Sequence, residues 1–165
     1  MYCRIRNKIN LKGENRYLQI KKIENNKNDY MNILLEADPD EEIVNKYLEY
    51  GEMFVGFEEN KPVCAIVITK YDDVTCELKN IATLPEERGK GHAGKLIKFV
   101  FEEYKDKYSK MIVGTTENMI PFYVLNGFTK YHHTVKNFFI DNYKEEIWDG
   151  NLRCIDMYYY SKELK

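Results

Sequence analysis

The sequence predicts an α/β fold of the α+β type, in which helices flank a central mixed, mostly antiparallel sheet. Two β-rich runs, Met53 to Glu58 and Pro62 to Tyr71, are joined by the polar segment 59–61, which is typical of a hairpin. A third run, Val74 to Thr83, continues the antiparallel meander. A long helical pattern then leads to an apolar run, Met111 to Thr115, and a crossover of this kind predicts a strand parallel to the preceding one.

The other elements are shorter and are predicted from alternation and from helix start and stop signals. Ahead of the meander the sequence predicts a strand and two short helices: Arg16 to Glu24, Tyr30 to Leu35 and Glu41 to Tyr50. After Thr115 it predicts a short helix from Asn118 that stops at Asn126-Gly127, and then two strands: Phe128 to Val135 and Cys154 to Ser161. Between these strands, Asn137 to Arg153 is predicted to be a long loop rich in aromatic side chains.

Length and composition limit the class of protein. The 165 residues contain no linker, repeat or low-complexity segment, so residues 1–165 are predicted to form a single domain. A net charge of −2 and a pI near 6.0 do not favour a nucleic-acid partner. No apolar run approaches the length of a membrane span, and the first ten residues are polar, so no membrane association is predicted.

The cysteines are scattered along the chain. Cys3, Cys64, Cys76 and Cys154 show no CxxC spacing, so the sequence suggests neither a zinc site nor a redox pair. We expect reduced thiols in a cytoplasmic protein.

A glycine-rich segment, Glu87 to Lys95, is the strongest functional pattern. It leads directly into the long helix, whose apolar stripe is formed by Ala93, Leu96, Ile97, Val100, Phe101 and Tyr104. A glycine turn that enters a helix aims free backbone N–H groups at one point, where the helix dipole adds positive charge. The segment is therefore predicted to bind an anion such as phosphate.

The glycines fit several phosphate-binding patterns. Gly89, Gly91 and Gly94 form GxGxxG, but a dinucleotide-binding loop needs a strand directly before its first glycine, and residues 84–87 intervene. Glu117 lies near the place of a ribose-binding acid, so that interpretation stays open. A P-loop fits less well, because Leu96 follows Lys95 where a hydroxyl is needed. The glycines would also suit a simple helix-capping turn.

Two motifs, Arg88 to Ala93 and residues 118–128, resemble those of the GNAT superfamily of N-acetyltransferases, and the resemblance extends from about Arg16 to Ser161. Arg88 to Ala93 is similar to the family's (Q/R)xxGx(G/A) loop, whose backbone amides hold the pyrophosphate of coenzyme A. Residues 118–128 are similar to its N…(F/Y)Y…GF segment. Ala93 replaces the commoner final glycine, and Pro121 stands where the family often has alanine. The resemblance implies a GNAT fold whose parallel strand pair is splayed at the coenzyme A site.

The resemblance also implies an activity and a set of site residues. The activity is transfer of the acetyl group of acetyl-CoA to a primary amine of a small molecule or peptide, by direct attack in a ternary complex and without a metal. The coenzyme would be bound along one strand end, the loop and the following helix by Ile81, Ala82, Thr83, Arg88, Gly89, Lys90, Gly91, His92, Ala93, Gly94, Lys95, Asn118 and Tyr123.

Two of the implied residues are catalytic. Glu77 would act as the base, directly or through water, and Tyr123 would protonate the leaving thiolate, which suits a group that is protonated at neutral pH. Each has a structural alternative: Glu77 as a solvent-facing strand residue paired with Lys79, and Tyr123 as a core side chain. Asn118 would bond the pantetheine or cap its helix, and His92 would be a loop residue that offers its N–H.

The acceptor is not identified by the sequence. The acidic run Glu36, Asp38, Asp40, Glu41 and Glu42 would attract a cationic amine, or it is simply a solvated surface. The aromatic loop 137–153 would line a substrate pocket, cover a homodimer interface or extend the core. Two other functional classes also stay open: a catalytically silent acyl-CoA-binding regulatory module and a nucleotide-binding protein.

Overall fold

The computed structural model describes residues 17–165, and a mixed sheet runs through them. The strands are β1 Gln19–Ile23, β2 Glu52–Glu58, β3 Lys61–Lys70, β4 Thr75–Thr83, β5 Lys110–Thr115, β6 Lys130–Val135, β7 Trp148–Asp149, β8 Leu152–Arg153 and β9 Met157–Glu163. The helices are α1 Met31–Leu34, α2 Glu41–Leu48, α3 His92–Tyr104, α4 Ile120–Leu125 and α5 Phe138–Asn142. The first position of the predicted strand Arg16 to Glu24 lies outside the described residues.

The sheet confirms the predicted fold class. Seven strands follow the order β1-β2-β3-β4-β5-β9-β6, and every neighbouring pair is antiparallel except β4 and β5, which are parallel. The parallel pairing runs only from Thr75↔Lys110 to Leu78↔Val113. Because β4 continues to Thr83 and stays paired with β3 up to Cys64↔Thr83, the two parallel strands separate beyond Leu78.

Helices cover both faces of the sheet, and β3 shows this in its sequence. Cys64 and Ile66 point to the face covered by α3, whereas Ala65 and Val67 point to the face covered by α1 and α2. A strand buried on both faces has no polar alternation, which explains the unbroken apolar run of β3. The apolar stripe of α3 packs as predicted, with Leu96, Ile97, Val100 and Tyr104 buried.

Local signals set the turns around this core. Glu59 and Asn60 form the two-residue turn between β2 and β3, and both have positive φ (48° and 64°), as a type I′ hairpin requires. The Asp40 carboxylate accepts hydrogen bonds from the backbone N–H groups of Glu42 (3.0 Å) and Ile43 (3.1 Å), which caps the start of α2.

The prediction of a long loop over 137–153 was wrong. The segment contains the short helix α5 and the small hairpin β7–β8. Phe139 N–H donates to Ile155 O (3.1 Å) and the Phe139 side chain is buried, so the segment is held to the chain that leads into β9. A five-residue helix and strands of two residues are too short to show a hydrophobic period. No described helix is long and apolar enough to cross a membrane.

Candidate active site

The site is organised by the gap between β4 and β5. Lys79 has no partner in the β3 register, because Val67 pairs with Asn80 and Ile68 with Leu78. This β-bulge lies directly after the last parallel pair, at Leu78, and a bulge bends its strand and increases the local twist. The bulge therefore turns the end of β4 away from β5.

The end of β4 exposes backbone groups to this gap. Leu84 N–H donates to Val63 O (3.0 Å), and hydrogen-bonded pairs alternate along an antiparallel ladder. The backbone of Ala82 therefore bonds to β3. The backbone N–H and C=O groups of Ile81 and Thr83 point to the opposite edge of β4, into the gap beyond the end of the pairing with β5. In agreement, Thr83 O accepts a hydrogen bond from Arg88 Nε (3.3 Å) rather than from β3.

The glycine loop places unpaired N–H groups at the same end of β4. Gly89 and Gly91 have φ of 79° and 80°, which favours glycine, and a Cβ at either position would meet nothing within 4 Å. The first helical hydrogen bond of α3 runs from Lys95 N–H to Gly91 O (3.2 Å), so the N–H groups of the three preceding residues have no helical acceptor. Open space in front of these donors suits an anion.

The loop's cations lie at this surface and pair with carboxylates. Arg88 contacts Glu36 (2.7 Å) and Lys90 contacts Glu87 (2.6 Å), while Lys95 is exposed. Exposed ion pairs contribute little to stability, so these side chains are free to exchange their partners for phosphate.

Gly94 and His92 have different roles from the other loop residues. A Cβ on Gly94 would come 3.0 Å from Asn126 Oδ1, so this glycine allows α3 to approach the end of α4. His92 is the first residue of α3, and its side chain is buried between Glu58 and Glu87 instead of lying in an open loop.

Tyr123 is held in α4 by packing and by the end of that helix. Phe128 N–H donates to Tyr123 O (3.0 Å) and Gly127 N–H to Val124 O (3.1 Å), the two bonds of a Schellman motif, and Gly127 has the expected positive φ. The Tyr123 ring packs edge-on against Phe122 (5.0 Å) and Phe128 (5.9 Å) and is 9% exposed. Burial raises the pKa of Tyr123, which keeps its hydroxyl protonated.

Glu77 is buried, in contrast to the solvent-facing alternative. It is 8% exposed, on the face of β4 opposite α3, and it forms the expected pair with Lys79 (3.2 Å). Tyr159 on β9 donates its hydroxyl hydrogen bond to Glu77 (3.5 Å) and stacks on His133 (4.4 Å). Burial and the Glu77 carboxylate raise the pKa of Tyr159, so it stays a donor. A carboxylate buried with one lysine and one tyrosine is a candidate base.

A second polar group lies where α1, α2 and α5 approach the same face. Asp38 is half-buried and accepts a hydrogen bond from Tyr143 OH (3.2 Å), and burial raises the pKa of its carboxyl. Nearby, Asn80 Nδ2 donates to Tyr47 OH (2.8 Å) and to Leu34 O (3.1 Å). Sequence reasoning placed Tyr143 in the aromatic loop but predicted neither its bond to Asp38 nor that of Tyr159 to Glu77, because the partners lie 105 and 82 positions away.

The acidic run is not one surface in the structure. Asp40 caps α2, Glu36 pairs with Arg88, and Glu42 pairs with Lys144 (3.4 Å). Asp38 is the member with a raised carboxyl pKa and a tyrosine partner.

Asn118 does not cap its helix. Its Nδ2 donates to Asp149 O in the β7–β8 hairpin (2.8 Å), and the neighbouring Thr116 hydroxyl donates to the Asp149 carboxylate. The hairpin therefore fastens the turn that precedes α4.

Known proteins share this architecture. The family description "Acetyltransferase (GNAT) domain" matches residues 49–130. An acetyltransferase of the GNAT family from Elizabethkingia anophelis, solved with acetyl-CoA bound, is 30% identical over 91% of this chain and 99% of its own, with a TM-score of 0.82. A Bacillus subtilis acetyltransferase solved in complex with CoA is 26% identical over 90% of this chain and 100% of its own, with a TM-score of 0.80. The uncharacterized N-acetyltransferase YvbK of Bacillus subtilis is 29% identical over 85% of this chain and 92% of its own length.

Proposed function

The chain belongs to the GNAT family of acetyltransferases, and we propose that it transfers the acetyl group of acetyl-CoA to a primary amine by direct attack in a ternary complex. The observation that carries the proposal is the separation of β4 from β5 immediately before the open glycine loop. It supplies a slot lined by backbone groups next to a cluster of free N–H donors. The bound acetyl-CoA and CoA in two similar structures support this choice of coenzyme.

The coenzyme would be held mainly by backbone atoms. The pyrophosphate would accept hydrogen bonds from the N–H groups of the loop and the first turn of α3, while Arg88, Lys90 and Lys95 supply positive charge. The pantetheine arm would extend along β4 and pair with the outward-facing groups of Ile81 and Thr83. This arrangement would bring the thioester to the bulge at Lys79, close to Glu77 in the sequence.

The reaction needs a neutral amine, a stabilised oxyanion and a protonated leaving group. Glu77 would take one proton from the ammonium, directly or through water, and the amine nitrogen would then attack the thioester carbonyl. A backbone N–H at the end of β4 would stabilise the oxyanion. As the C–S bond breaks, Tyr123 would give its proton to the departing thiolate. The second proton leaves the nitrogen and returns through water to the tyrosine oxygen, and the amide and free coenzyme A then leave.

The acceptor is proposed to be a cationic amine of a small molecule or peptide. Two buried or half-buried carboxylates, Glu77 and Asp38, occupy the face of the sheet opposite α3, and the hydroxyls of Tyr47, Tyr143 and Tyr159 accompany them. A cation placed among them would compensate the charge of Asp38, which burial destabilises. The rings would enclose its alkyl chain.

Two measurements test the proposal. In a thermal-shift panel, acetyl-CoA and CoA should stabilise the protein, by about 2.7 kcal/mol at a hundred times Kd, while NAD and ATP with magnesium should not. Free-thiol release over a library of amines should then show turnover with a cationic primary amine and none with its N-acetylated form. Tight acetyl-CoA binding without release on any amine would contradict the proposed reaction and favour a silent acyl-CoA-binding module.

A further inference from the structure

We propose that Glu58, Glu87 and His92 form a binding site for one divalent metal ion of the zinc class beneath the glycine loop. The three side chains come from the end of β2, the turn before the loop and the first residue of α3. One ligand atom from each lies within 4.8 Å of the other two. The site lies beneath the loop that is proposed to bind the coenzyme, but it uses side chains rather than the loop's N–H groups, and metal titration tests it without acetyl transfer.

The first argument is that the His92 imidazole is buried without a hydrogen-bond partner among the described residues. The His92 side chain is 1% exposed, and neither of its ring nitrogens has a hydrogen-bond partner within residues 17–165. Buried polar atoms in proteins nearly always have a partner, because losing water without replacement is costly. The imidazole Nε2 faces Glu58 and Glu87, so the partner that this nitrogen lacks belongs between the three side chains.

The second argument is the spacing of the atoms. His92 Nε2 is 3.6 Å from Glu58 Oε1 and 3.6 Å from Glu87 Oε2. These distances exceed those of ordinary hydrogen bonds, which are about 2.7–3.2 Å. Ligands bound tetrahedrally to zinc at about 2.0–2.2 Å are separated from each other by roughly 3.3–3.6 Å. Both distances from the imidazole to the carboxylates therefore match those between neighbouring ligands of a metal ion.

The third argument is the ligand set. One imidazole and two carboxylates are suitable ligands for Zn²⁺, with a fourth position left open. Glu58 is 8% exposed, so its charge is held away from water and gains from a nearby cation. Magnesium fits less well, because it prefers oxygen ligands in an octahedron. Bound metal would fasten β2 to both ends of the glycine loop.

Two other occupants compete with a metal ion for the space between these three side chains: the Lys90 ammonium and a proton on His92. Lys90 Nζ lies 2.6 Å from Glu87 Oε2, the same oxygen that faces His92. Because Lys90 is exposed, it can leave, and Lys90→Met should make metal binding several-fold tighter. The alternative occupant is a proton on His92, which would leave an imidazolium between two carboxylates and no site for metal.

The test uses the full chain after treatment with a chelator. Calorimetric titration with Zn²⁺ should show one equivalent bound. Titration with Co²⁺ should produce the visible absorption of a tetrahedral ion with no thiolate charge-transfer band. Glu58→Gln and Glu87→Gln should each weaken binding at least tenfold, whereas their exposed neighbours Glu59→Gln and Glu86→Gln should not change it.

Several outcomes would overturn the proposal. These are no saturable uptake of Zn²⁺, equal affinity in folded Glu58→Gln and Glu87→Gln, or a thiolate band with Co²⁺. Loss of binding in the double variant His132→Ala and His133→Ala would also overturn it, because those rings approach to 2.6 Å and are the competing imidazole pair.

Discussion

At the scale of single residues, burial decides which side chains suit catalysis. Tyr123 and Glu77 are both nearly inaccessible, but the tyrosine is surrounded by rings and the carboxylate by a lysine and a hydroxyl. Burial among rings keeps a phenol protonated, which a proton donor needs. The lysine and the hydroxyl both donate to the carboxylate and hold it in place, which suits a group that has to meet the amine in a fixed geometry.

Tyr123→Phe should lower kcat by at least about tenfold, a cautious bound below the usual contribution of a general acid. The ring contacts with Phe122 and Phe128 remain, so folding and the Kd of acetyl-CoA should change far less. Steady-state thiol release and calorimetry measure the two effects. Tyr131→Phe, which removes an exposed hydroxyl on β6, is the matched control. Equal loss of binding and folding would instead identify Tyr123 as a core residue.

Glu77→Gln should lower kcat/KM by about tenfold or more, mainly on the low-pH limb, where the base has to compete for the amine's proton. The amide keeps the size of the side chain and still accepts from Tyr159, so the Kd of acetyl-CoA should hardly change. A pH profile of kcat/KM from wild type and variant provides the measurement. A variant with the wild-type profile would leave Glu77 as a structural partner of Lys79.

Asp38→Asn should raise Tm at about pH 8 and have little effect below about pH 4. Burial raises the pKa of Asp38, so the folded protein holds this proton more tightly than the unfolded chain does. Stability from this group is therefore lost as pH rises through its folded-state pKa, and an amide avoids the loss. The KM for a cationic amine should rise in the same variant.

Thermal unfolding across this pH range tests Asp38, with Asp156→Asn as a control of opposite sign. Lys136 and a backbone N–H lower the pKa of Asp156, so its carboxylate stabilises the folded protein at neutral pH. The Tm of Asp156→Asn should therefore lie below that of wild type at neutral pH, and the two Tm values should become equal as pH falls. A lower Tm for Asp38→Asn at every pH would contradict this prediction and mean that the carboxyl stabilises the fold through contacts that an amide does not replace.

At the scale of elements, the sequence predicted most of the helices and strands that surround the proposed coenzyme site. The apolar stripe of α3 is visible in the helical spacing of its apolar residues. The parallel pairing of β4 and β5 follows from the rule that a helix between two strands of one sheet makes a right-handed crossover. Both signals are local in the sequence. The bulge at Lys79 could not be predicted, because it depends on the register of β3. The same holds for Asp38 with Tyr143 and for Glu58 with His92, whose members meet only after the sheet has formed.

Gly91→Val should abolish stabilisation by acetyl-CoA. The variant places a β-branched residue at φ 80°, at a cost of about 1–2 kcal/mol, and puts a side chain into the open space in front of the N–H donors. The thermal shift with saturating acetyl-CoA is the measurement. Asn60→Val, at φ 64° in the β2–β3 turn, controls for backbone strain alone and should keep the shift. Wild-type affinity in a folded Gly91→Val would contradict the loop assignment.

At the scale of the whole molecule, the sheet separates two environments that meet at the gap between β4 and β5. The face with α3 and α4 carries the glycine loop and Tyr123, and the opposite face carries Glu77 and Asp38. We therefore expect coenzyme and acceptor to enter from opposite sides and to be bound together when the acetyl group moves. Such a geometry needs no covalent acetyl-enzyme.

The described cysteines agree with this expectation. Burial raises the pKa of Cys64 and of Cys76 to about 12, and it also raises that of Cys154, so none of them is a thiolate at neutral pH. Initial-rate plots over both substrates should intersect, and intact-mass analysis after acetyl-CoA alone should show no acetyl adduct. Parallel lines together with an adduct on one of these cysteines would demonstrate a two-step mechanism. Intersecting lines together with the absence of an adduct would support direct attack, because no covalent acetyl-enzyme then forms between the coenzyme and the amine.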